Sequence, residues 1–223
     1  METLLVFKVS CLSLHPKISD KMKETILEKS IQMFTHNGFK AVTMDDIAGE
    51  LGISKKTIYQ HFPSKKELVK SAVDYVYDAA IGKMKGIVGQ CKTPIHEHFD
   101  MRNCIKELLG HNTSAATIFQ FKKYYPRLSE RIEKRRYKDL DFTILRNLRE
   151  GVEQGYYRKE IDIDFIGRMF FSASTSFFHN EEFFEQTEES MEDFELKFTE
   201  YHLRGIVTPK GLKVLEELLN KTN

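Results

Sequence analysis

The apolar residues of this 223-residue chain recur at helical spacing from about Lys21 onward. In the first such segment Leu27, Ile31 and Phe34 share one helix face, and Gly38 follows as a C-terminal breaker. No window alternates apolar and polar residues over the length of a strand, so we expect an all-α fold. Further helices are predicted over 44–51, 54–62, 64 to beyond 83, 97–110, 114–124, 127–154, 162–184, 190–204 and 208–220.

Capping residues mark the starts of the first helices. Thr43 with Asp46 forms a short capping box, and Ser64 with Glu67 forms a full Ser-x-x-Glu box. Ser54 is the predicted cap of the short helix between them. Caps at three successive helix starts predict a small module in which the angles between helices matter.

A helix, a glycine-containing turn and a second short helix form the helix-turn-helix arrangement, whose second helix can lie in the DNA major groove. Here Ile58 and Phe62 are predicted to pack inward. The solvent side is predicted to carry Lys55, Lys56, Thr57, Tyr59, Gln60 and His61. Lysine neutralises phosphates, Thr and Gln can bond base edges, and Tyr and His can donate to phosphate oxygens. Singly, each would be an ordinary surface or packing residue; together on one face they indicate DNA binding.

Charge and cysteine content change this picture only locally. The whole chain has 34 Lys and Arg against 33 acidic residues, which identifies no partner. Residues 21–70 hold nine lysines and six acidic residues, whereas 71–223 hold 23 basic and 25 acidic residues. Three widely spaced cysteines and the lack of a secretory or membrane-spanning segment favour a reduced, cytoplasmic protein. Residues 1–20 are expected to be a poorly ordered extension.

The segment from Gly38 to Leu68 resembles the N-terminal domain of the TetR/AcrR family of transcriptional regulators. The match covers residues 22–70 and rests on the caps, the Gly52 turn and the run Tyr-Gln-His-Phe at 59–62. The rest of the chain resembles the family in being helical but shares no motif with it, except that the tail around 203–212 is similar to the C-terminal end of many members.

The resemblance implies a homodimer that binds a near-palindromic DNA operator and represses transcription until a small-molecule effector binds. By position, phosphates would be held by Thr43, Tyr59, His61 and Lys65. Base edges would be approached by Lys55, Lys56, Thr57 and Gln60. One departure is Asp45, where members often have Arg; an acid cannot make the same contact, which leaves more of the reading to Lys55 and Lys56.

The remaining residues, 71–223, are predicted to form the effector-binding and dimerisation domain. Fifteen of the 26 Phe and Tyr residues lie between Phe119 and Phe184. Such density can line an apolar effector cavity, although core or dimer packing is the more ordinary role of any one of them, and no effector-binding residue is singled out. The resemblance assigns the dimer bundle to 162–184 and 190–204.

Enzymatic and metal-binding readings find little support. The run His96-Glu97-His98 contains metal-ligating residue types, but side chains two apart point to different helix faces and chelate poorly. No HExxH, GxSxG or phosphate-binding glycine loop is present. We therefore expect no enzyme activity, cofactor or metal. The alternative from another class is a helical protein-interaction module without specific DNA binding, which salt would barely affect.

Overall fold

The computed structural model describes residues 20–109, 115–177 and 191–222. The described part of the chain is helical, which confirms the all-α prediction; its one β feature is an isolated antiparallel bridge between Tyr157 and Val207. The helices are α1 (Lys21–Asn37), α2 (Met44–Leu51), α3 (Lys55–His61), α4 (Lys65–Ile87), α5 (Pro94–Leu109), α6 (Ala115–Tyr124), α7 (Pro126–Lys138), α8 (Arg146–Glu153), α9 (Ile163–Phe177), α10 (Met191–Ile206) and α11 (Pro209–Thr222).

Packing divides the chain into two compact units. The first contains the described residues up to Gly86 and those of 104–129, so α6 packs with the helix-turn-helix. The second contains residues 87–103 and the described residues from Glu130 onward. The boundary predicted at residue 70 separates two functional domains, not two packing units, and it stays a prediction. Of the predicted extension, residues 1–19 lie outside the described residues.

Thr43, Ser54 and Ser64 each accept a hydrogen bond from a backbone amide, as predicted for caps. The Thr43 hydroxyl accepts from the amide of Asp46, whose carboxylate accepts in return from the amide of Thr43, which completes the capping box of α2. Ser54 accepts from the amide of Thr57 at the start of α3, and Ser64 accepts from the amide of Glu67 at the start of α4. These bonds satisfy amides that a helix start would otherwise leave unpaired.

The core of the first unit joins α1–α4 to α6. Ile58 and Phe62 are 0% and 2% exposed, as predicted, and pack with the buried residues Ile26, Leu27, Phe34, Ile47 and Leu68. The ring of Phe39 lies 5.3 Å from that of Phe121 on α6. Gly38, at φ 80°, is approached so closely that an added Cβ would lie 2.5 Å from Oε1 of Gln120. Because a side chain at this φ would strain the backbone, glycine is required in the turn after α1.

Some helix boundaries differ from the predictions. The helix predicted over 97–110 begins at Pro94, because Thr93 caps it and proline suits the first helical position, whose amide has no intrahelical partner. The helix predicted over 127–154 is interrupted, since a π-helical turn at Asp141–Leu145 separates α7 from α8. Of the segment predicted over 162–184, residues 178–184 lie outside the described residues, as do 110, 114 and 190.

The second unit has its own apolar core, with a polar network inside it. The core contains Ile95, Phe99, Leu148, Tyr157, Leu203, Ile206 and Leu215. The Tyr157 hydroxyl donates to Oδ1 of Asn147, and Nδ2 of Asn147 donates to Oε1 of the buried Glu97 at 2.9 Å. Arg146 forms an ion pair with the same carboxylate. Buried polar groups need such partners, and these bonds fix α5 against α8.

Candidate nucleic-acid interface

A tight turn sets the angle between α2 and α3. Gly52 adopts a left-handed conformation at φ 63°, and its amide bonds to the carbonyls of Ala48 and Gly49 at the end of α2. A side chain at this φ would be strained, so glycine ends the helix at low cost. Two residues later Ser54 begins α3. The turn therefore presents one long side of the short helix α3 to solvent.

The middle of that exposed side carries Lys56, Tyr59 and Gln60. The side chain of Tyr59 is 42% exposed, and Lys56 and Gln60 are exposed as well. Among the described residues, Lys56 and Gln60 take part in no side-chain hydrogen bond or ion pair. Thr57 is half-buried, and its hydroxyl lies 2.8 Å from that of the cap Ser54. Lys56 and Gln60 are thus the members of the predicted reading set that need break no contact to meet a base.

Lys55 is held by the first turn of α2. Its Nζ donates to Oδ2 of Asp45 at 2.7 Å, and both side chains are well exposed, at 48% and 64%. The hydrogen bond to Asp45 raises the pKa of Lys55. The acid that departs from the family pattern therefore lies beside a predicted base-reading lysine.

His61, predicted to hold a phosphate, faces an acid instead. Its Nδ1 lies 3.0 Å from Oδ2 of Asp20, while Oδ1 of Asp20 accepts from the amides of Met22 and Lys23 at the start of α1. Asp20 is therefore both the cap of α1 and the partner of the last residue of α3. A phosphate at His61 Nδ1 would have to displace this carboxylate.

Thr43 and Lys65, also predicted to hold phosphates, have structural contacts of their own. The Thr43 hydroxyl belongs to the capping box, and its backbone and side-chain hydrogen bonds lower the pKa of Asp46, an effect that nearby Lys65 reinforces. Nζ of Lys65 donates to the carbonyl of Phe39 at 2.6 Å. Partial burial lowers the pKa of Lys65, although Asp46 opposes that shift.

Three participants in this interface were missed by the sequence analysis. Asp20 had been assigned to the extension, the Phe39 carbonyl has no side-chain signature, and Gln120 on α6 accepts from the amide of Lys40. The available signal for Asp20 was its residue type, since aspartate just before a helical segment is a preferred cap. The contacts of Lys65 and Gln120 span many residues, so local patterns carry no signal for them.

The described ranges also give no support to a metal site or a membrane span. No group of three or more His, Cys, Asp or Glu residues there is placed to hold a metal ion. In the run His96-Glu97-His98, His96 bonds Thr93, Glu97 pairs with Arg146, and His98 packs on Phe170. No helix in those ranges is long and apolar enough to cross a bilayer.

Comparison with known proteins identifies the family. The sequence model described as bacterial regulatory proteins of the tetR family matches residues 26–72, which include α2, the turn and α3. The chain is 28% identical over 150 residues to the HTH-type transcriptional repressor KstR2 of Mycobacterium tuberculosis, a match that covers 64% of this chain and 72% of KstR2. It is 44% identical over 68 residues to the uncharacterized HTH-type transcriptional regulator YerO of Bacillus subtilis, covering 30% and 24% of the two chains.

The fold extends the resemblance beyond the N-terminal module. A TetR-family transcriptional regulator from Marinobacter aquaeolei superposes with a TM-score of 0.71 at 16% identity, covering 91% of this chain and 98% of that one. The structure of KstR2 superposes with a TM-score of 0.57 at 23% identity, covering 87% and 99%. Residues 26–72 of this chain are therefore a DNA-binding domain of the TetR family of bacterial transcriptional regulators.

Proposed function

We propose that this protein is a homodimeric repressor that binds a near-palindromic operator through α3 and leaves it when a small-molecule effector binds. The observation that carries the proposal is the row Lys56, Tyr59 and Gln60 on the exposed side of a capped recognition helix. A lysine can donate to guanine, a glutamine can bond adenine at two atoms, and a tyrosine hydroxyl can bond a phosphate. Residues 21–70 are the DNA-binding domain in this proposal, and 71–223 bind effector and form the dimer.

The contacts of the interface suggest which residues contact base edges and which contact the DNA backbone. Lys56 and Gln60 read base edges, with Lys55 and Thr57 beside them. Tyr59 and His61 contact the backbone from the same helix. Thr43 and Lys65 support phosphate binding mainly by fixing the start of α2 and the turn after α1, because their polar atoms already have partners.

Three substitutions separate reading from positioning. Lys56→Ala and Gln60→Ala should each relax preference at particular base pairs by about 1–3 kcal/mol, whereas Lys65→Ala should weaken binding on all sequences alike. Affinities for the selected operator and for its single-base variants measure both effects. Equal losses for all three variants on selected and random DNA would contradict this division.

Exposed apolar side chains on α9 and on α10 support the dimer. Phe165 and Met169 lie one turn apart on α9 and are 59% and 53% exposed, and Tyr201 on α10 is 79% exposed. Exposed apolar patches of this kind mark interaction sites. Two copies joined there would be related by a two-fold axis, as a near-palindromic operator requires. To bind it, their α3 helices must lie roughly 34–36 Å apart.

The dimer is tested by mass and by DNA binding together. Light scattering should give a dimer for the wild type and a monomer for the double variant Phe165→Glu, Met169→Glu. The monomer should bind the inverted repeat no better than a single half-site. Lys213→Glu, on the exposed surface of α11, is the matched control and should remain a dimer. A dimeric double variant would place the interface elsewhere.

Two points support effector control. The chain has a second helical unit that is available for effector binding, and its relative KstR2 is described as a transcriptional repressor. An effector can release the operator only if it binds better to a state in which the two α3 helices no longer fit successive grooves. Operator and effector must then weaken each other equally. A small molecule that lowers operator affinity should therefore bind the free protein more tightly than the DNA complex, by the same factor.

A further inference from the structure

The ion pair between Asp45 and Lys55 places opposite charges side by side where α2 and α3 begin. Asp45 is the second residue of α2 and Lys55 is the first residue of α3. Their Nζ and Oδ2 atoms lie 2.7 Å apart, and neither side chain is buried. The inference drawn from this pair rests on the proposed function, in which α3 enters the major groove.

Such a pair is unsuited to a phosphate. A carboxylate at the interface repels the DNA backbone and finds an attractive partner only in a donor, such as cytosine N4 or adenine N6 in the major groove. The ammonium of Lys55 has the opposite requirement, and guanine offers it two acceptors, O6 and N7. The two side chains together therefore match a base pair that presents an acceptor directly beside a donor.

We infer that Asp45 and Lys55 act as one unit that reads a single G·C pair, with Lys55 on guanine and Asp45 on cytosine. Guanine O6 and cytosine N4 of one pair are hydrogen-bonded to each other, at about 2.9 Å. That separation is close to the 2.7 Å between Nζ and Oδ2. Lys55 can donate to O6 while Asp45 accepts from N4, and the ion pair between them stays formed.

The unit also discriminates against the other base pairs. Reversal to C·G would place the ammonium against a donor and the carboxylate against an acceptor. A T·A pair keeps one acceptor and one donor but lacks the second guanine acceptor, and it sets the thymine methyl group beside the charges. An A·T pair places the donor N6 against Lys55 and the acceptor O4 against Asp45, so it is rejected in the same way as C·G. At these two positions the pair Asp45–Lys55 therefore favours G·C in one orientation.

The test selects binding sites from random duplex DNA with the wild type, Asp45→Ala, Lys55→Ala and the double variant. Glu50→Ala is the matched control, because the exposed Glu50 on α2 forms an ion pair with the partly buried Lys29 at the same 2.7 Å. The wild type should fix one G·C pair per half-site, preferred by about 5- to 150-fold over its reversal. Both single variants should lose that preference at the same position, and the double variant should lose no more. Glu50→Ala should keep it.

The outcomes separate this inference from the function on which it rests. If Asp45→Ala binds all four base pairs more tightly by one factor, Asp45 only restrains Lys55 and the inference is overturned. Relaxation at different positions in the two single variants would overturn it as well. A wild type that enriches no site would instead refute the proposed function. Unchanged thermal unfolding of Asp45→Ala, expected for an exposed side chain, excludes misfolding as the cause of a lost preference.

Discussion

The imidazole of His61 lies 3.0 Å from the carboxylate of Asp20, so the end of the recognition helix α3 is tied to the start of α1. The other oxygen of the same carboxylate accepts from the amides of Met22 and Lys23. One side chain therefore caps a helix and braces the element that is proposed to enter DNA. The orientation of α3 depends on this contact as well as on the buried Ile58 and Phe62.

Replacing Asp20 tests its role as the cap of α1. Asp20→Ala should lower the free energy of unfolding by about 1 kcal/mol, because the amides at the start of α1 lose their acceptor. Asp20→Asn is the matched control and should retain most of the stability, since asparagine caps as well as aspartate. Urea unfolding of the three proteins measures the difference. If Ala and Asn variants were both as stable as the wild type, the cap would contribute nothing to folding.

Lys65 should act on stability as well as on DNA. Its Nζ donates to the Phe39 carbonyl at 2.6 Å, so Lys65→Ala should lower the free energy of unfolding by about 1 kcal/mol. Lys65→Arg keeps a charged donor and should recover most of that loss. Chemical unfolding checks the first effect and binding to random duplex DNA checks the uniform loss of affinity. Wild-type stability in Lys65→Ala would leave phosphate contact as its whole role.

Some features of the structure could be predicted from local sequence patterns, whereas others depend on contacts that form only when the chain folds. The caps Thr43, Ser54 and Ser64 were predictable because each contacts an amide within one helical turn. The inward positions of Ile58 and Phe62 followed from helical periodicity in the same way. The pairing of His61 with Asp20 and of Lys65 with the Phe39 carbonyl joins residues far apart in sequence, so no local pattern contains it. The π-helical turn at Asp141–Leu145, within the single helix predicted over 127–154, was not predicted either.

Two histidines in the second unit should make the protein sensitive to acid. The rings of His98 and His202 lie 6.1 Å apart and both contact Phe170. Burial lowers the pKa of His98 to about 4, with nearby Arg102 adding to the effect. Burial also lowers the pKa of His202 to about 3, with His98 adding to it. Both imidazoles therefore stay neutral in the folded protein at pH values well below their ordinary pKa.

The sign of the pH dependence follows from where each state takes up protons. Below pH 6.5 the unfolded chain protonates these histidines while the folded protein does not, so stability falls as pH drops from 6.5 to about 4. Each group contributes about 1.4 kcal/mol per pH unit within that window, and neither contributes above it. Unfolding midpoints at a series of pH values measure the slope. His202→Phe should make it shallower, and an unchanged slope would contradict the assignment.

Glu97 should be among the costliest residues to remove. It is 3% exposed and accepts from both Arg146 and Asn147. Among the described residues, Glu97→Ala leaves the guanidinium of Arg146 with Glu150 as its one acidic partner, and breaking a buried pair in this way costs about 3–5 kcal/mol. Tyr157→Phe, which removes one hydroxyl from the same network, should cost about 1 kcal/mol. Calorimetric or denaturant unfolding compares them, and equal losses would show that the charge pair adds nothing special.

Selection of binding sites from random duplex DNA, followed by titration of the best site at about 50 and 200 mM salt, tests the central claim most directly. We predict an enriched inverted repeat whose half-sites are centred about 10 base pairs apart. Affinity for it should fall by orders of magnitude between the two salt concentrations, because lysine–phosphate contacts release bound cations. No enriched repeat, with weak binding that salt barely changes, would contradict the assignment of α3 as an operator-reading helix and would favour a protein-docking role for the helix-turn-helix.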